Sequence, residues 1–296
     1  MRTRRQFLTE VSLAGAALTW PRRLHLRADD DLARLTAWVT TLRQEGLDAA
    51  GVALGRAAAR AGELAVGTPY VAGTLEEYLS AGGTPDQEPL AASLTRFDCV
   101  TLVEGTMAVA RTARRAGAPT WAAFGEEVTR MRYRDGRRGG YASRLHYFSE
   151  WIRDGARRGL VRDLGVELGG SADTRPLRFM SAHRASYPAL ADDRQLHAIA
   201  ARELALDGLP RWVIPTGRIP LIAGQLQPGD VLAFATSIEG LDVTHTALVH
   251  RDAGGETRVL HAPLSGGTVE IAARALPDYV SAIRRATGIL VARPLV

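Results

Sequence analysis

LTRFDCVTLVE, residues 94–104, holds the chain's one cysteine, Cys99, directly behind Phe97 and Asp98. The sequence runs on as GTMAVARTARR, with apolar residues at Leu102, Val103, Met107 and Ala110. That is helical spacing, and it places Cys99 in the first turn of an amphipathic helix. Unbonded N–H groups and the positive end of the helix dipole favour a thiolate there. A free thiol has a pKa of about 8.5 and is mostly un-ionised at neutral pH, so a nucleophilic cysteine also needs a base. The alternative reading of a lone cysteine is a buried structural residue.

The base is sought C-terminally, where the period changes to 2. GDVLAFA, from Gly229, reads as a strand entered from the turn Gln227-Pro228-Gly229. LDVTHTALVH, residues 241–250, is a second strand, with Val243, His245, Ala247 and Val249 on one face. Residues 251–255 read as a hairpin loop and 256–262 as the third strand. A turn at Gly266-Gly267 precedes a fourth strand, 268–272, and 288–293 is a fifth. With the loop at 251–255, residue 250 faces 256 and His245 faces His261, their Cβ atoms about 5 Å apart. A one-residue slip in the loop breaks that pairing. Cys99, His245 and His261 then supply a nucleophile, a base and an orienting group. His250 points the other way and reads as a surface residue, as do His25 and His197.

The N-terminal half reads as helices. Residues 29–65 form two, with a break near Gly46. GTPYVAGTLE, 67–76, is a tight loop presenting Tyr70, and 80–93 is a surface loop. Residues 121–131 and 192–206 are helical, and prolines interrupt 152–228. The segment RYRDGRRGGYASRLHYFSEW, 132–151, reads as a loop running into a helix from about Ser143. The fold class is therefore α+β: a helical half carrying the cysteine helix, packed on a C-terminal antiparallel β-sheet. Residues 29–296 read as a single catalytic domain.

Composition removes several functions. All 37 basic residues are arginine, which excludes Schiff-base and P-loop lysine chemistry. One cysteine excludes an internal disulfide and multi-cysteine zinc sites. Neither HExxH nor CxxC occurs, so no metal or other cofactor is expected, the competing use of Cys99, His245 and His261 being a zinc site. The net charge of +5 lies in residues 1–27, which hold six arginines and one glutamate; the rest has 31 basic and 31 acidic residues. No nucleic-acid partner is expected from such a balance. Residues 1–28 read as a twin-arginine leader, with Thr3-Arg4-Arg5-Gln6-Phe7-Leu8 ahead of a short apolar run from Val11 to Trp20. The mature protein is then expected in the periplasm or otherwise outside the cytoplasm. No membrane contact is expected beyond that leader.

GTPYVAG, then FDCVT opening a helix, then strands bearing His245 and His261, resembles the NlpC/P60 (papain-like) cysteine peptidase superfamily. RFDCVTLVE, RYRDG, YASRLHYFSEWI, PGDVLAF, GLDVTHTALV and VLHAP resemble, more narrowly, the DUF1460 family of N-acetylmuramoyl-L-alanine amidase-like proteins, over residues 67–293. That family tends to read HAS where this chain has His261-Ala262-Pro263. The resemblance implies an NlpC/P60 fold and cleavage of an amide in peptidoglycan or muropeptides. By position it implies Cys99 as nucleophile, His245 as base, His261 as orienter and Tyr70 beside the nucleophile. Substrate recognition is expected from the 132–147 block: Arg132, Arg144 and His146 to pair with carboxylates, Tyr141 and Tyr147 to stack on sugars. A stem-peptide endopeptidase and a catalytically silent wall-binding protein are the alternative functions.

Overall fold

The computed structural model describes residues 28–263 and 267–295; residues 1–27 of the expected leader lie outside them. Helices α1 (Ala28–Gln44) and α2 (Leu54–Leu64) come first. The cysteine helix α3 (Cys99–Ala113) and α4 (Trp121–Arg132) follow. Next are α5 (Phe148–Arg157), α6 (Asp193–Ala205) and a short α7 (Leu276–Ser281). The strands are β1 (Val161–Asp163), β2 (Ser171–Asp173), β3 (Arg211–Pro215), β4 (Val231–Thr236), β5 (Val243–Arg251), β6 (Thr257–His261), β7 (Glu270–Ala275) and β8 (Ala286–Pro294). They form one sheet in the order β2-β3-β8-β4-β5-β6-β7, with β1 also on β8, and every pairing is antiparallel. The expected mixed architecture is present, with three more strands than the periodicity showed.

Several local expectations need correction. Helix α3 is buried on all sides from Thr101 to Ala113 rather than amphipathic. It lies between the sheet and its helical neighbours, sharing a core with Leu35, Leu54, Phe124, Leu248 and Leu260. Its largely apolar sequence suits such a place, and its buried Glu104 and Arg111 find partners there. Helix α5 begins at Phe148, five residues after the expected Ser143, because Tyr141–Ser143 forms a single 3-10 turn and Arg144 is extended. Leu145 N–H instead bonds the carbonyl of Arg132, closing the 132–145 segment on itself.

The hairpin register also differs. Arg251 faces Thr257 and Leu248 faces Leu260, so the loop is 252–256, one residue later than expected. Asp252 holds it, its carboxylate accepting from the N–H groups of Gly254 and Glu256. The slip moves each pair by two positions, which preserves the faces. The register puts Ala247 opposite His261, and His245 becomes its diagonal neighbour on the same face. Val243 leaves that face, because a bulge lets Phe234 pair with His245 while Ala235 pairs with Val243. Val243 joins the core under α3, whereas Ala247 and Val249 join the core on the other side of the sheet.

Gly229, in the expected turn before β4, shows why the two halves fit so closely. Its φ is +80°, and a Cβ there would lie 1.9 Å from the carbonyl oxygen of Gly55 on α2. Only a residue without a side chain tolerates both.

Candidate active site

Asp98 starts the cysteine helix. Its side chain accepts from Thr101 N–H at 2.7 Å, and Thr101 Oγ1 accepts from Asp98 N–H at 2.8 Å. This capping box makes Cys99 the first helical residue, where the dipole is most positive. Cys99 is half-buried. Thr246, the neighbour of His245 on β5, donates its hydroxyl to the carbonyl of Cys99 at 2.9 Å. One side-chain bond therefore ties the start of the cysteine helix to the histidine strand. The Tyr70 loop braces the same place from outside: Tyr70 N–H bonds Gly267 and Val71 N–H bonds Phe97. Tyr70 thus lies between the residues leading into Cys99 and those leading into β7.

The two strand histidines meet although they are not directly opposed. His245 Nε2 and His261 Nδ1 are 2.8 Å apart, the rings edge to face. Diagonal neighbours on one sheet face lie within reach of side chains of this length. Burial, with the neighbouring His261 adding to it, pushes His245 down to about 3, and burial pushes His261 down to about 4. Both rings are therefore neutral at pH 7. His245 Nδ1 and His261 Nε2 are buried without a hydrogen-bond partner.

Three further residues shape the pair. Phe234 stacks on His245 with ring centroids 5.7 Å apart. Tyr279, on α7, places its hydroxyl 3.4 Å from His261 Nδ1. Burial, then the negative charges of Glu270 and Cys99, push the Tyr279 hydroxyl up to about 12, so it stays protonated. Glu270, the first residue of β7, has a carboxylate oxygen 3.6 Å from His261 Nε2. Sequence reasoning missed all three. Glu270 was detectable as a carboxylate on the strand after His261, whereas Tyr279 arrives through a long-range contact with no local signal.

The residues expected to bind substrate are placed differently. Arg132 is 3% exposed and directs its guanidinium inward, to Glu104 Oε2 at 2.7 Å and to the carbonyl of Ala91. Tyr147 is buried, with its hydroxyl 2.6 Å from Glu203. Arg144 is buried between Glu76 at 3.1 Å and Glu88 at 3.6 Å, with its guanidinium over the Tyr141 ring. Tyr141 is buried and donates to Glu76 at 3.2 Å. His146 bonds the Tyr141 carbonyl at 2.8 Å, and burial, then the Arg144 charge, hold it well below the usual histidine range. This block is an internal network of charges, in which Arg132, Arg134 and Arg144 already have carboxylate partners.

A cavity of about 250 Å³ opens beside the cysteine helix, lined by Tyr78, Ser93, Arg96 and Thr101 among others. None of the six expected recognition residues lines it. Arg96 there is paired with the exposed Glu77 at 2.8 Å. Among the described residues, no group of three or more His, Cys, Asp or Glu side chains is placed to hold a metal ion. No helix among them is long and apolar enough to cross a membrane.

The model of the N-acetylmuramoyl-L-alanine amidase-like family matches residues 60–289. No curated protein matches the chain. Among solved structures, an N-acetylmuramoyl-L-alanine amidase of Bacteroides uniformis is 29% identical, over 81% of this chain and 98% of that one, with a TM-score of 0.74. A Bacteroides fragilis protein called a candidate xylanase is 32% identical, over 79% and 99% of the two chains, with a TM-score of 0.69. A DUF1460 protein of Legionella pneumophila is 18% identical, over 90% and 95%, with a TM-score of 0.65; at that identity the likeness is one of fold.

Proposed function

Since the chain belongs to the N-acetylmuramoyl-L-alanine amidase-like family, we propose that it hydrolyses an amide bond of peptidoglycan or muropeptides, with Cys99 as nucleophile, His245 as base and His261 as orienter. The observation that carries this reading is the 2.8 Å contact between His245 Nε2 and His261 Nδ1, on a strand bonded through Thr246 to Cys99. His261 occupies one nitrogen of His245. The other, Nδ1, has no hydrogen-bond partner and is the atom left to take the thiol proton. The sulfur attacks the carbonyl, and N–H groups at the start of α3 stabilise the oxyanion. The C–N bond breaks as the amine leaves with the proton from His245, and water hydrolyses the thioester. The helix-borne cysteine on a histidine-bearing antiparallel sheet supports a papain-like arrangement of NlpC/P60 type.

We place part of the substrate in the cavity beside Thr101, with Tyr70 at the nucleophile, and assign Arg132, Tyr141, Arg144, His146 and Tyr147 to the framework. Glycoside hydrolysis, suggested by the Bacteroides fragilis relative, calls for two carboxylates flanking the bond. Here Asp98 caps α3, Glu77 pairs with Arg96 and Glu270 lies behind His261, so among the described residues no two carboxylates face each other across a bond. Incubation with defined muropeptides and mass spectrometry of the products tests the proposal. Release of an intact stem peptide beginning with L-alanine supports it. Cleavage inside the stem replaces it with an endopeptidase, and inertness of both wild type and Cys99→Ala leaves a wall-binding role. We further propose export by the twin-arginine route, supported by Arg4-Arg5 ahead of an apolar run. Retention in the cytoplasm on changing both to lysine is the expected result, and unchanged delivery refutes it.

A further inference from the structure

In a neutral imidazole one nitrogen carries the proton and the other accepts. The His245–His261 contact therefore admits two arrangements. In the first, His245 Nε2–H donates to His261 Nδ1, which leaves His245 Nδ1 bare and able to take a proton. His261 then carries its own proton on Nε2. In the second, both tautomers reverse: His245 Nδ1 already carries a proton, and the pair is useless as a base. Nothing within the pair itself selects the first arrangement.

We propose that Glu270 is the positioning residue that selects it, its carboxylate accepting from His261 Nε2–H and so fixing the tautomers of both histidines. This rests on the reading of His245 as the base. The groups that face His261 are His245 from β5, Glu270 from β7 and Tyr279 from α7. His261 is 1% exposed, and its Nε2 has no hydrogen-bond partner. The nearest carboxylate oxygen is that of Glu270, at 3.6 Å. This is longer than a hydrogen bond. The Glu270 side chain is 49% exposed, beside an open cavity of about 380 Å³ that Tyr279 and Arg274 also line, so it is free to rotate inward. Catalytic hydrogen bonds commonly tighten only once substrate is bound. In the reversed arrangement a bare, buried nitrogen would face that carboxylate with two acceptors opposed. Tyr279 does not decide the matter, because its hydroxyl is 3.4 Å from an Nδ1 that His245 already contacts at 2.8 Å.

The test is ¹⁵N NMR of the histidine side chains in the full chain, with kinetics alongside. In the wild type, His261 should be protonated on Nε2 and bare on Nδ1. Glu270→Ala should give mixed tautomers and lower kcat about tenfold with KM unchanged, at or below the low end of what an acid–base group contributes. Glu270→Gln should retain the tautomer, because the amide oxygen still accepts. A wild-type His261 protonated on Nδ1, or an unchanged tautomer in Glu270→Ala, overturns the assignment. So does a tautomer shift in Tyr279→Phe with none in Glu270→Ala. If the tautomers respond as stated but no muropeptide is cleaved, the amidase reading fails and the role of Glu270 in setting the tautomer stands.

Discussion

Arg132 separates recognition from architecture, and replacing it should damage the fold rather than substrate binding. Its Nε lies 2.7 Å from Glu104 Oε2, with the two side chains 3% and 2% exposed. Glu104 is on the cysteine helix, five residues after Cys99. Burial raises the Glu104 carboxyl, and the charge and hydrogen bond of Arg132 oppose it. Arg132→Ala leaves that carboxylate in the core without its cation. Breaking such a pair costs about 3–5 kcal/mol, a large share of the roughly 5–15 kcal/mol that a domain commonly has. With a urea slope of about 3 kcal/mol per molar, the midpoint falls by about 1–1.7 M. The variant also gains a pH dependence of known sign. Without Arg132, the folded carboxyl keeps its proton at a pH where the unfolded one has lost it. The deficit therefore shrinks as pH falls from 7 towards 5. The double variant Arg132→Met/Glu104→Leu should recover most of the loss, because no lone charge remains. Urea unfolding at several pH values, with KM measured on the folded fraction, is the assay. A loss below about 1 kcal/mol accompanied by a large rise in KM would refute the structural assignment and return Arg132 to the substrate.

Cys99→Ala should abolish turnover and His245→Ala come close to it, since general acid–base catalysis contributes about 10²–10⁴-fold. His261→Ala should cost less and His261→Asn less again, in steady-state kinetics on one muropeptide. A folded His261→Ala as inactive as His245→Ala would reverse or merge the two roles. Because folding pushes His245 and His261 down, the unfolded chain binds protons that the folded chain does not between about pH 6.5 and 4. Stability should therefore be complete above that window and fall through it, by up to about 1.4 kcal/mol per pH unit for each histidine. A His245→Gln/His261→Asn protein should lose these two histidines' share of that slope in urea titrations, the buried His146 keeping its own, and an unchanged slope would place its origin elsewhere. Gly229→Ala should lower stability by at least about 2 kcal/mol through its left-handed backbone and its collision with Gly55. A melting temperature equal to wild type would show that the α2–β4 junction is looser than the structure has it.

Local signals carried most of what was legible in the chain. The helix behind Asp98 and the strands at 231–236 and 243–251 are each written within a dozen residues, and each was readable. Strands β1 and β2, of three residues each, are too short to show a period, and β3 is closed by Pro215. The register of β5 and β6 depended on which residue opens the loop, and the Asp252 side chain decided that by bonding Gly254 and Glu256. The histidines survived the error because a two-position shift keeps parity, which makes face a sturdier inference than pairing. The burial of the 132–147 block was hidden for a different reason. An arginine-rich stretch has the same composition whether its charges face solvent or one another. Glu76, Glu88 and Glu104, the carboxylates that claim Arg144 and Arg132, lie 28 to 68 residues away in sequence. No window contains both partners, so only the fold could show that these cations were already taken. Tyr279, 18 residues from His261, is hidden in the same way. Chemistry carried by a single element can be read from sequence, whereas the choice between binding a ligand and binding the protein's own core is made by contacts that only the folded chain brings together.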